Sequence, residues 1–185
     1  ETAKATGRNI IATIDNECGI GLLLGGLEDD IFNIYEINTK YAGRCIARPY
    51  ASMGSGADES EKVLSRYVTD ISREKRDSID KCEGLAKIIE ATNASSNLNI
   101  GVGGSPSIVY ISKDNKVIRP NENQCILASE LVEGFIRGLL NKDFVYDAVS
   151  KLVYDNEKFE KVEEEMKQKS KDWKKLDRIL RGYKD

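Results

Sequence analysis

The chain has no histidine in 185 residues. That removes Ser-His-Asp and Cys-His catalysis, imidazole general bases and every zinc site built on imidazole. An enzyme made from this chain would rely on Lys, carboxylates, Thr, Ser or a bound cofactor. Long apolar runs are missing too. The longest, Gly19 to Leu24, falls far short of the roughly 20 residues a membrane-crossing helix needs. The first residues, Glu1-Thr2-Ala3-Lys4, lack the apolar centre of a signal peptide, and neither end carries a lipidation motif, so a cytoplasmic chain is expected. Net charge is small, −3, and gives no electrostatic argument for nucleic acid. The four cysteines, Cys18, Cys45, Cys82 and Cys125, stand 27, 37 and 43 residues apart, too far for a zinc knuckle or a C-x-x-C pair. Each lies in or beside an apolar stretch, which predicts buried thiols in a reducing compartment. No metal or cofactor is expected.

What is present is ordinary globular material, 40% hydrophobic and 32% charged, enough for one domain or a domain with an appendage. Ile10 to Ile14 is a short β-rich run. Gly19 to Gly25 suits a strand buried on both faces. Gly26 to Asp30 is an acidic turn, and Phe32, Ile34 and Ile37 recur near period two. Asn38 to Gly43 is another turn signal, and Arg44 to Tyr50 alternates again. Three short strands with tight turns predict an antiparallel meander. After Gly54-Ser55-Gly56 a helix should start, with Val63, Leu64, Tyr67 and Val68 on one face. A second helix is expected from about Ser78 to Ala94, capped by Asp77 or Ser78. Asn99 to Val102 and Ile108 to Ile111 read as strands. Lys113 to Lys116 reads as a hairpin turn before Val117-Ile118.

Beyond Pro120 the period is helical throughout. From Asp155 the chain holds 9 acids and 10 bases in 31 residues. Even there Phe159, Val162, Met166, Trp173, Leu176 and Leu180 keep a heptad-like stripe. This stripe has two readings: a helix packed on its own domain, or a docking face for a partner. The pattern divides the chain into an α/β portion, 1–120, and a helical C-terminal extension, 121–185.

Residues 21–111 resemble the second half of a proteasome subunit, of the N-terminal-nucleophile hydrolase fold. GLLLGGLEDDIFNIYEIN is similar to the family's apolar strand ending in Gly-Gly, its acidic turn and its strand ending Tyr-Glu-Ile. Ala51 to Ser60 resembles the Gly-Ser-Gly-Ala turn that opens a helix. The segment from Ser78 to Ala94 and Asn99-Ile100-Gly101-Val102 resembles the next helix and the strand after it. The resemblance implies an α+β fold, a four-layer αββα sandwich of antiparallel sheets, and partners that are like or related subunits.

Catalytic members of the family begin on a threonine whose amine activates its own hydroxyl. Thr2 is the candidate here, but Ala-Lys-Ala-Thr-Gly follows it rather than a β run. Ser55 matches the serine of the Gly-Ser-Gly turn and Ser95 a late serine, while the aspartate position falls on Thr92. Ser55 and Ser95 without Asp, Lys or an N-terminal nucleophile lack a base. The expectation is therefore a non-catalytic structural or assembly subunit, closer to the family's outer-ring members. The alternative is part of an amide or peptide hydrolase whose nucleophile strand lies outside this sequence. A third reading is an interaction module using the C-terminal helix. Two local patterns have bland readings. Gly101-x-Gly103-Gly104 lacks the lysine of a P-loop and predicts a strand-to-strand turn. Asp58 and Glu59 suit the first turn of a helix better than a cation site.

Overall fold

The computed structural model describes residues 21–28, 31–38, 41–71, 75, 78–114 and 116–180. The alternating segments pair as expected into an antiparallel meander: β1 (Leu22–Glu28), β2 (Ile31–Asn38) and β3 (Tyr41–Cys45). Leu22 lies opposite Ile37 and Leu24 opposite Tyr35 on one face; Leu23, Gly25 and Leu27 lie opposite Glu36, Ile34 and Phe32 on the other. The predicted turn at Gly26 to Asp30 is shorter than expected. Gly26, Leu27 and Glu28 continue the ladder, and the Phe32 ring closes over Gly25, where a Cβ would lie 3.1 Å from Phe32 Cζ. The second turn is displaced as well. β3 starts at Tyr41, and a register shift between Glu36 and Asn38 absorbs the irregularity.

Helix α1 (Ala57–Asp70) starts directly after Gly56, with Asp58 and Glu59 in its first turn as read from the sequence. Helix α2 (Lys81–Leu98) starts later than expected. Its cap is Asp80, whose carboxylate accepts from the amides of Cys82 and Glu83. The polar run Asn93 to Asn97 does not end it, because Asn93 and Ser95 are buried with partners on neighbouring elements. No strand forms at Asn99 to Val102. The Asn99 side chain accepts from Gly101 N at 2.8 Å and Val102 N bonds Asn99 O at 3.0 Å, which bends the chain into a turn. Gly101 to Gly104 therefore joins a helix to a strand. The hairpin that follows is short: β4 (Tyr110–Ile111) and β5 (Val117–Ile118).

The remaining helices are α3 (Glu122–Ile136), α4 (Lys142–Val153), α5 (Phe159–Lys169) and α6 (Trp173–Asp177). α3 opens with a capping box between Asn121 and Gln124. It closes at Gly138, φ +72°, where Gly138 N bonds Phe135 O and Leu139 N bonds Gly134 O, the two bonds of a Schellman motif. The helical run breaks after Ile136, and Asn141 stands at the N-cap position from which α4 starts. The architecture is α+β, with its main core among α2 to α6: Ala86 and Ile89 meet Leu127, Leu131, Val145, Val149 and Leu152. Among the described residues no helix is long and apolar enough to cross a membrane.

The stripe from Phe159 to Leu180 turns inward. Val162, Met166 and Leu176 are fully buried, and Phe159, Trp173 and Leu180 pack against the same core. Ser170, in extended conformation, separates α5 from α6, so no continuous heptad helix exists. The docking-face reading of these six residues is corrected accordingly. The cysteine expectation is corrected in part: Cys125 is buried, Cys82 half-buried and Cys45 exposed on the meander, all as free thiols. Cys18 lies outside the described residues.

Candidate functional site

The residues singled out in the sequence converge on one corner. Gly54, φ +101°, turns the chain, and Ala57 N bonds back to Gly54 O at 3.1 Å. Gly56 then lies against α2 so closely that a Cβ would sit 2.6 Å from Ser95 Cβ and 2.8 Å from Val102 Cγ2. This is the close approach that glycine alone allows. The Ser95 hydroxyl donates to Gly56 O at 2.7 Å, with Ala91 O of its own helix at 3.2 Å. Asn99 Nδ2 donates to Ser55 O at 2.5 Å. Two side chains from the end of α2 thus clamp the carbonyls of Ser55 and Gly56.

The corner borders a cleft of about 780 Å³ between the meander and the α1–α2 pair. Leu23, Phe32 and Ile34 form the sheet wall; Leu64, Ile88 and Ala91 form the helix wall. Phe32 is 51% and Ile88 56% exposed, so the two apolar walls face each other without closing. Ser55 and Ser95 both line this cleft. Ser95 is buried and its hydrogen is committed to a main-chain carbonyl. Ser60 and Thr92, also in the lining, donate to the carbonyls of Ala57 and Ile88. Tyr50 is the one ionisable side chain among the described lining residues. Its hydroxyl lies 3.3 Å from both Arg48 and Glu61, which form an ion pair at the cleft edge. None of these residues supplies a base within the cleft that could activate Ser55 or Ser95. Thr2 lies outside the described residues.

A smaller hollow of about 190 Å³ lies across α2, lined by Ile88, Ile89, Pro106, Ile108, Val109 and Cys125 among others. Ile88 and Thr92 border both spaces, so the outer side of α2 carries an apolar surface from the meander to the segment before β4. Burial pushes the Cys125 thiol pKa up. Asn93, the acceptor of an Asn-Ala-Ser sequon, is 3% exposed and exchanges two hydrogen bonds with Ser129, at 3.1 and 2.7 Å. In the folded chain it is closed to glycosylation. Burial, with the carboxylates of Glu83 and Asp80 nearby, pushes Tyr67 up to about 12. No group of three potential metal ligands occurs among the described residues.

Sequence reasoning found Ser55 and Ser95 but missed Asn99, which secures the corner as directly as Ser95 does. Its signal was available: Asn before Ile-Gly marks a side-chain turn rather than a strand. No protein-family model, curated protein or solved structure matches the chain.

Proposed function

We propose that this chain is a non-catalytic, proteasome-like assembly subunit whose second sheet layer is completed by further polypeptide. The observation that carries the reading is the open cleft. A sheet with Leu22, Leu23, Leu24 and Ile34, Tyr35, Ile37 has apolar side chains on both faces, which suits a sheet covered on both sides. Its cleft face meets α1 and α2 only across a gap of about 780 Å³. Filling that gap with strands would set a second sheet between the meander and the helices, and an αββα sandwich would further need helices over the meander's outer face. Meander, glycine corner and two helices follow in the order the resemblance implies, while the strand it implies at Asn99 to Val102 is replaced by a turn. The partners would be like or related subunits in the cytoplasm, and the role needs no cofactor.

The test is size-exclusion chromatography with light scattering on the native protein. A particle of several subunits is expected, and Ile88→Asp, at the exposed helix wall, should dissociate it. A strict monomer at all concentrations would overturn the reading.

A second reading is favoured by one observation: Ser55 and Ser95 share the cleft corner. It makes the chain part of an N-terminal-nucleophile amide hydrolase. Intact mass and N-terminal sequence of the native protein decide it, since a longer chain with a free Thr, Ser or Cys at its start would be required.

A further inference from the structure

With its apolar stripe buried, the C-terminal segment presents only its charged side, and those charges are sorted. Residues 155–166 carry six acids against two bases, and residues 167–180 carry six bases against two acids. Helix electrostatics explain part of this, because acids suit the start of α5 and bases its end. Pairs within the segment use more of it: Glu157 with Lys161 at 2.7 Å and Glu163 with Lys167 at 3.0 Å. Lys171 donates to Gly138 O. What remains is a cluster of exposed cations, Lys169, Lys174, Lys175 and Arg178, with no carboxylate in ion-pair range among the described residues. At the other end Asp155, Glu160 and Glu164 are exposed, and of these only Glu164 reaches a base, Lys167 at 3.8 Å. Glu160 and Lys169 are nine residues apart on α5, about 14 Å along the axis. That exceeds the screening length of about 8 Å at physiological salt, so Glu160 is screened from the basic end, whereas Glu164, about 7.5 Å from Lys169 along the axis, is only partly so. A cationic cluster of this kind is also unexpected in a chain of net charge −3.

We propose that the outer face of α5 and α6 is a homotypic docking surface. The basic end of one copy meets the acidic end of a second copy across a two-fold axis. Antiparallel placement brings each acidic end onto a basic end twice, the self-complementarity a two-fold interface requires. Charges on a rim of this kind set encounter rate and orientation. The inference rests on the assembly reading above and names the surface by which copies of the chain meet.

Sedimentation velocity tests it at about 0.05 M and 0.5 M salt. The wild-type dissociation constant should rise about tenfold or more across that range. Two variants follow: K169E/K174E/K175E/R178E, with both ends acidic, and D155K/E160K/E164K, with both ends basic. All seven positions are exposed, and circular dichroism should show both variants folded. Each alone should lose association at least tenfold, and an equal mixture of the two should regain it. A wild type that assembles regardless of salt, with either variant assembling equally well, would overturn this surface and leave the assembly reading standing. Failure of the mixture to associate would also overturn it. A wild type monomeric at both salts would overturn both readings.

Discussion

At Gly56 an added methyl would meet the Cβ of Ser95 and a methyl of Val102, both inside 3 Å, and the first belongs to a helix with no freedom to retreat. Gly56→Ala is therefore expected to destabilise the fold by about 1–3 kcal/mol, as overpacking does. Ser95→Ala removes the long-range donor to Gly56 O, which keeps only the Ser60 amide at 3.2 Å and the Ser60 hydroxyl at 3.3 Å, and should cost about 1 kcal/mol. Urea unfolding by fluorescence reads both; unchanged midpoints would mean that the corner is not clamped. The thiols give a second expectation at this scale. Cys45 is exposed, Cys82 half-buried, and Cys125 both buried and held less acidic than an ordinary thiol by its desolvation. Alkylation of the native protein followed by mass spectrometry should label them in that order.

Helix ends hold more of the fold than composition suggests. Gln124 is 2% exposed, and its side chain serves two elements at once. Oε1 accepts from Asn121 N at 2.8 Å, while Nε2 donates to Asn156 Oδ1 at 3.0 Å and Glu157 O at 2.9 Å. Asn121→Ala should cost about 1–2 kcal/mol through lost capping alone. Gln124→Ala should cost about 2–3 kcal/mol, because it also leaves the α4–α5 loop untied. Thermal denaturation would rank them, and equal losses would contradict the second role. The β4–β5 hairpin gives a pH expectation. A hydrogen bond from the Ser112 hydroxyl, then one from Lys116, lowers the Asp114 carboxyl from 3.8 to about 2. A depressed carboxylate stabilises the folded turn above its unfolded value, and that contribution fades as pH falls from about 4 toward 2. An NMR titration of Ser112→Ala should find the Asp114 carboxyl raised toward its ordinary value, with Lys116 still holding it below. At this scale the sequence was legible wherever a pattern is local: the meander, the α1 start and the helical period beyond Pro120. Boundaries failed where a long-range partner decides them. Asn93 and Ser95 look like helix-ending residues until Ser129 and Gly56 supply their bonds. Of the candidate site, Ser55 and Ser95 were legible from their turn and helix, whereas the clamp by Asn99 required the geometry.

The molecule joins two regions of unequal packing. Sixteen buried residues of α2 to α6, with the turn between α3 and α4, form the main core, and no described side chain of β1 to β3 belongs to it. The stripe that resembled a docking helix is part of that core, so Met166→Ala should cost about 2–5 kcal/mol. Deleting residues 155–185 should unfold the helical body rather than merely remove an appendage. The meander contributes Ile37 as its one fully buried described side chain, while Ile31 and Phe32 are more than half exposed. Local stability follows buried contacts, so hydrogen exchange should be slowest in α3 and α4 and orders of magnitude faster in β1 to β3. If another polypeptide fills the cleft, that difference should shrink in the assembled particle and return on its dissociation by Ile88→Asp. Equal protection of meander and helices in a monomer would mean that the sheet is already covered, and the open cleft could no longer argue for a partner.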